Sequence, residues 1–100
     1  MQAQPLIERV TIANPQGLHL RPATILAITA QKFVSDIWLI ASGQRINGKS
    51  LWELISLGAA CGTELIVEVV GSDAPLALAA VVDILSTASP EEDMDSLSPG

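Results

Sequence analysis

The sequence predicts an α+β open-faced sandwich, in which a four-stranded antiparallel sheet carries three helices on one face. Three observations lead there. One hundred residues suffice for a single compact core and no more. Apolar residues make up 49% of the chain but only 3% is aromatic, so that core is packed from Ile, Leu, Val and Ala. Strand and helix periodicities alternate along the chain as β-α-β-β-α-β-α, two split βαβ units of the kind that close into one antiparallel sheet.

The first strand is read over Leu6 to Ile12, with Leu6, Glu8, Val10 and Ile12 on one side and Ile7, Arg9 and Thr11 on the other; Glu8 breaks the pattern. Asn14-Pro15-Gln16-Gly17 supplies turn formers, and Pro22 suits the first turn of a helix running to about Phe33. Ala23, Leu26, Ala27, Ala30 and Phe33 share its buried face. Ile25 and Ile28 fall on the far side, either as a partner surface or as ordinary exposed isoleucines.

Val34 to Ala41 is rich in β-formers, and Ser42-Gly43-Gln44 turns it into a short strand around Arg45 to Asn47. Ser50-Leu51-Trp52-Glu53 fits a capping box, so a short helix begins there and stops near Gly58. Thr63 to Val70 alternates again, with Leu65, Val67 and Val69 opposing Glu64, Ile66, Glu68 and Val70. Ser72 or Asp73 can cap a last helix, with Pro75 in its first turn and an apolar face from Leu76, Ala79, Ala80, Ile84 and neighbouring valines through about Thr87. Residues 1–88 form the domain. Residues 89–100 are acidic, hold Pro90 and Pro99, and read as a disordered tail.

Charge narrows the function. The formal charge is −6, and Glu91, Glu92, Asp93 and Asp95 in the tail carry much of it. A mildly acidic body gives no support to nucleic-acid binding. The single cysteine, Cys61, makes no intramolecular disulfide and no metal-ligand spacing; without a flanking base it reads as a small filler, and a reducing compartment is the simplest setting. Neither a signal peptide nor an apolar run long enough to span a bilayer is visible, so a cytoplasmic location without membrane insertion is expected. Nothing suggests a metal or an organic cofactor. Trp38 reads as core or sheet surface, and Asp36 and Asp83 as solvated.

Chemistry concentrates at His19, the only histidine, between a Gly-containing turn and a helix N-terminus, two residues before Arg21. A neutral imidazole is a nucleophile near pH 7. The unpaired N–H groups and dipole of the helix favour an anion beside it, and Arg21 adds a fork of donors suited to phosphoryl oxygens. No second His, carboxylate or Ser stands near to complete a hydrolytic triad. The residues alone leave two readings: a phosphoryl acceptor, or a helix cap beside an arginine in a surface ion pair.

Gly17-Leu18-His19-Leu20-Arg21-Pro22-Ala23 resembles the active-site motif of the HPr phosphocarriers of the bacterial phosphoenolpyruvate-dependent sugar phosphotransferase system. Asn47-Gly48-Lys49-Ser50-Leu51, with Leu57-Gly58 and Gly62-Thr63 after it, is similar to that family's regulatory-serine region. The resemblance spans roughly residues 6 to 88. It implies the HPr-like form of the sandwich, and phosphorylation of His19 on the ring nitrogen nearest its backbone (pros), with Arg21 stabilising the phosphate. Enzyme I would be the donor and the A components of sugar permeases the acceptors, the chain acting as a stoichiometric carrier, not an enzyme. Ser50 would be a site for an HPr kinase/phosphorylase as well as a helix cap. The alternatives are a regulatory binding module acting mainly through phosphorylated Ser50, and a carrier for a non-sugar branch.

The chain departs from the family where lysines usually meet acidic partners. Its docking surface, expected from Leu20, Thr24, Ile28, Leu51, Trp52 and Ile55, is apolar. Trp52 is read either as a binding anchor or as a cover for the sheet. A monomer is expected.

Overall fold

The computed structural model describes residues 4–87. In chain order the elements are β1 (Leu6–Thr11), α1 (Leu20–Gln31), β2 (Asp36–Ala41), β3 (Gln44–Asn47), α2 (Leu51–Leu57), β4 (Glu64–Val70) and α3 (Ala74–Ser86). The strands form one antiparallel sheet in the order β1-β4-β2-β3. β4 lies between β1 and β2, with Val10 opposite Leu65, and Leu39 opposite Val67.

Burial alternates strictly along β4, the central strand. Leu65, Val67 and Val69 all point to the helix side and are fully buried against Ile37 and Leu39 of β2 and against Leu26, Leu54, Ala77 and Val81 of the helices. Each such aliphatic side chain contributes about 1.5–3 kcal/mol on leaving water. The opposite face of the sheet is open. There Arg45 lies 4.2 Å over the Trp38 ring and donates to Glu68 at 2.8 Å, and Arg9 stands 3.6 Å from Glu64. Such pairs contribute little stability individually, but they keep the uncovered face hydrated. Trp38 is therefore sheet surface. Glu8, on the helix side of edge strand β1, remains exposed.

Three local expectations change. α1 begins at Leu20 rather than Pro22, because His19 takes the N-cap position; Pro22 is then the third helical residue, where its missing N–H would have had no partner inside the helix. Asp73 stands at the N-cap of α3 without a side-chain cap bond. Its carboxylate instead accepts from Val34 N and Ser35 N, both at 3.0 Å, and from the Ser35 hydroxyl. This clasp ties the turn after α1 to the start of α3, and the Ser35 hydroxyl above all holds the Asp73 carboxyl below its usual pKa.

The buried face of α3 is Ala74, Ala77, Val81 and Leu85, not the one built on Leu76 and Ala79. Leu76 is exposed, as is Ala79. Apolar residues surround this helix, so periodicity alone leaves its orientation undefined. Asp83, seven residues after Leu76 and four after Ala79, marks that side as solvent-facing. The tail at 89–100 lies outside the described residues.

Candidate functional site

The loop between β1 and α1 is built to hold His19. Asn14 is buried; its carbonyl accepts from Gly17 N at 2.8 Å and its side-chain oxygen from Gln16 N at 3.0 Å, closing the Asn-Pro-Gln-Gly turn. Gly17 has φ +74°, and a Cβ there would stand 2.6 Å from the Ala59 carbonyl oxygen. That same oxygen accepts from Leu18 N at 2.8 Å. With Leu18 buried, the segment leading to His19 is fastened to the loop between α2 and β4.

His19 has extended backbone (φ −88°, ψ −170°), and its carbonyl accepts the first intrahelical bond, from Ala23 N at 3.0 Å. Its half-buried ring borders a shallow cleft of about 380 Å³, shared with Leu20, with Ile55 of α2 and with Gly58, Ala59 and Ala60. Of the two ring nitrogens, Nε2 is enclosed. The N–H groups of Leu20 and Arg21 open the helix, where no intrahelical acceptor exists for them. No acidic side chain occupies that first turn. Arg21 is exposed, and among the described residues no carboxylate pairs with it. An anion beside His19 would therefore meet backbone donors, the positive end of the helix dipole and an exposed guanidinium.

Ser50 occupies the N-cap of α2 and its hydroxyl accepts from Glu53 N at 3.2 Å. Only half of the expected capping box forms. Ser50 N is taken by the Asn47 carbonyl at 3.1 Å, so the Glu53 carboxylate reaches Asn47 N instead, also at 3.1 Å. Gln31, the last residue of α1, donates to the Lys49 carbonyl at 2.9 Å, and the Lys49 ammonium donates to the Phe33 carbonyl at 2.7 Å. Ser50 thus adjoins the C-terminal end of α1 while His19 caps its N-terminal end. Ser50 is not among the residues that line the His19 cleft, which α2 reaches through Ile55.

The expected docking residues divide. Leu20 (59%), Ile28 (54%) and Trp52 (78%) are exposed, whereas Thr24, Leu51 and Ile55 are half-buried, the last two packed on the core. The Thr24 hydroxyl donates to the Leu20 carbonyl at 2.7 Å. Leu20, Thr24 and Ile28 follow one another along a single stripe of α1, and Ile55 joins them to the His19 cleft. Trp52 stands out from α2 and does not cover the sheet. Ile25 is half-buried beside Ile28 at the edge of a hollow on α1.

Cys61 is exposed, with Sγ 3.8 Å from the Ala13 carbonyl, and is not the filler its surroundings in sequence suggested. It lies in the turn before β4, where Ala59 and Leu65 already fill the interior. Ala59, which fastens the His19 loop, gave no sign of that role in the sequence; Asn14 could have been found from its turn. Among the described residues no His/Cys/Asp/Glu group could hold a metal ion, and no helix is long and apolar enough to cross a membrane.

Comparison with known proteins gives a consistent result. Residues 7–87 match the family model described as PTS HPr component phosphorylation site. The phosphocarrier protein HPr of Neisseria meningitidis is 36% identical over 81 residues, covering 81% of this chain and 91% of that protein. The crystal structure of an HPr from Bacillus anthracis superposes with a TM-score of 0.78 at 31% identity, covering 81% of this chain and 96% of that one. Crh, the Bacillus subtilis catabolite repression protein described as a domain-swapped, intertwined dimer, follows at a TM-score of 0.65 and 32% identity over 78% of this chain and 90% of that one.

Proposed function

Because the chain belongs to the HPr family, and so is a phosphocarrier of the phosphotransferase system and not an enzyme, we propose that it carries the phosphoryl group on His19. The observation that carries the assignment is the placement of the only histidine at the N-cap of α1, beside an arginine without a carboxylate partner among the described residues. Enzyme I is the donor and the A components of sugar permeases are the acceptors. The enclosure of Nε2 favours the other nitrogen, Nδ1, as the nucleophile.

In the first transfer the Nδ1 lone pair forms a new N–P bond while the bond to the donor's histidine breaks in line with it; in the second, Nδ1 is the leaving group. Little covalent work falls to the carrier beyond position and charge. The Leu20 and Arg21 N–H groups and the Arg21 guanidinium receive the phosphoryl oxygens. These donors are open to solvent on one side, which lets the group leave again.

Ser50 is the regulatory site, a substrate for an HPr kinase/phosphorylase. A phosphate there sits at the favourable end of the α2 dipole and beside Lys49. Ser50 lines no part of the His19 cleft, so its action falls on docking and not on the imidazole. Residues 1–88 are the working domain and 89–100 an acidic tail; the protein acts in the cytoplasm as a monomer, without nucleic-acid partners. Domain swapping of the kind described for Crh is the alternative that light scattering would detect. The carrier reading is tested by isolating the phosphorylated chain and adding a permease A component without enzyme I: the group should pass across mole for mole. Retention of the group on the chain would refute the second transfer.

A further inference from the structure

We infer that the outer edge of β1 is a strand-pairing surface that fits a second copy of this chain and is held shut by Glu8 and Arg9. The four-stranded sheet has β1 and β3 at its edges. The edge of β3 is covered, because the Glu53 carboxylate accepts from Asn47 N and the Asn47 carbonyl accepts from Ser50 N. The edge of β1 is open. Ile12 N donates to the Thr63 carbonyl and the Ile12 carbonyl accepts from Gly62 N, so by the alternation of an antiparallel ladder Leu6, Glu8 and Val10 also turn their backbone groups towards β4. Ile7, Arg9 and Thr11 turn theirs outwards, where nothing among the described residues pairs with them. A row of free N–H and C=O groups of this kind is a template for another strand.

Register decides which side chains meet. In an antiparallel pair of identical strands, outward-turned residues must face one another, so the two-fold axis passes through a residue. The central residues of Leu6–Thr11 are Glu8 and Arg9. An axis at Glu8 pairs Leu6 to Val10 and sets Glu8 against Glu8 of the second copy, with about 4.5 Å between their Cα atoms. An axis at Arg9 pairs Ile7 to Thr11, sets Arg9 against Arg9, and lays each Glu8 beside Val10 of the other copy, a residue buried on the helix side. Axes at Ile7 or Val10 pair only Leu6 to Glu8 or Arg9 to Thr11 of the strand. Both well-paired registers therefore oppose like charges or press a carboxylate onto an apolar neighbour, and either disfavours pairing. Glu8 is directed to the helix side, opposite Val67 in its own sheet, and such an inward charge on an edge strand is a guard against pairing. Pro5, whose missing N–H falls on the same outer side, closes the edge at its start. The inference goes beyond the monomer proposed above by naming the edge and the residues that keep it single. No residue of β1 lines the His19 cleft, so phosphoryl transfer does not enter it.

The test mixes charges across the edge, by sedimentation equilibrium at protein concentrations up to about 1 mM, the range of weak association, and at about 0.01 M ionic strength, where charges are least screened. The parent and Glu8→Lys each keep a like pair at the centre and should stay monomeric. Their equimolar mixture brings the parent's carboxylate opposite the variant's ammonium, and should associate at least tenfold more tightly than either chain alone. The double variant Glu8→Val with Arg9→Thr removes both guards and should dimerise by itself. In the mixture and in the double variant, the amides of Ile7, Arg9 and Thr11 should become protected from hydrogen exchange, which they are not in the parent. Glu8 and Arg9 are exposed, so every variant should keep the parent's circular-dichroism spectrum and cooperative melt. A mixture no tighter than its components, a double variant that stays monomeric, or association that leaves those three amides unprotected would each overturn the inference while the monomer reading stands. A parent that dimerises with β1 protected would overturn both.

Discussion

Replacing Gly17 by alanine separates the role of the His19 loop from ordinary stability. The backbone there is left-handed, which costs a residue with a Cβ about 1–2 kcal/mol, partly offset by about 0.4–1 kcal/mol from a stiffer unfolded chain. The new methyl would also stand 2.6 Å from the Ala59 oxygen, where ordinary contact begins at 3.4 Å. Relief requires the two loops to part, which breaks the 2.8 Å bond from Leu18 N and leaves a buried carbonyl unpaired, at about 1–3 kcal/mol. The sum is roughly 2–4 kcal/mol, or about 10–25 °C in Tm for a domain of this size. Gly62→Ala is the control: its φ is +86°, but a Cβ there meets nothing within 4 Å, so only the backbone cost applies. Calorimetry should show Gly17→Ala the less stable of the two. Below both transitions, transfer to His19 should fall by about a hundredfold in Gly17→Ala, as expected when a reacting group is displaced by about an ångström, and stay near the parent's in Gly62→Ala. Equal Tm values, or normal transfer by folded Gly17→Ala, would show that contact with Ala59 does not position His19.

Three further outcomes are expected. Arg21→Ala should melt within a few degrees of the parent, since an exposed charge contributes little stability, yet slow transfer at least tenfold; parallel losses would make Arg21 structural. Ser50→Asp should keep a cooperative melt and slow phosphorylation of His19 by about tenfold, the equivalent of about 1.4 kcal/mol of docking energy, while Ser50→Ala costs about 1 kcal/mol in the helix cap and transfers normally. Asp73→Asn should lower Tm at neutral pH by weakening the clasp on Val34 and Ser35. Because the folded state depresses the Asp73 pKa, its contribution is complete above the unfolded-state value of 3.8 and disappears as pH falls through the lower folded value; the variant's deficit in Tm should therefore shrink in acid. A deficit independent of pH would remove the carboxylate's charge from the account.

Much of the fold is legible because the aliphatic pattern is regular where burial is one-sided. Leu65, Val67 and Val69 recur at every second position and form the centre of the core, with Glu64 and Glu68 marking the other side even though Ile66 and Val70 share it. α3 failed that test, since apolar residues surround it and only Asp83 signals its outer side. Ser50 and Asp73 show a second limit. A cap motif identifies a donor–acceptor possibility, but partners outside the motif compete for the same atoms: nearby Asn47 takes half of the Ser50 box, and Val34 with Ser35, remote in sequence, takes all of Asp73. The candidate site was readable in His19 and Arg21 because their chemistry is local. The support from Ala59 was not, because a backbone carbonyl leaves no trace in residue type.

The central claim is that His19 carries the phosphoryl group. Its most direct measurement is the intact mass of the chain after incubation with enzyme I and phosphoenolpyruvate, followed by treatment of the product with acid or alkali. One phosphoryl group is predicted, lost in acid, kept in alkali and absent from His19→Ala. A chain that gains no mass, or a His19→Ala variant that gains the same group, would contradict the account.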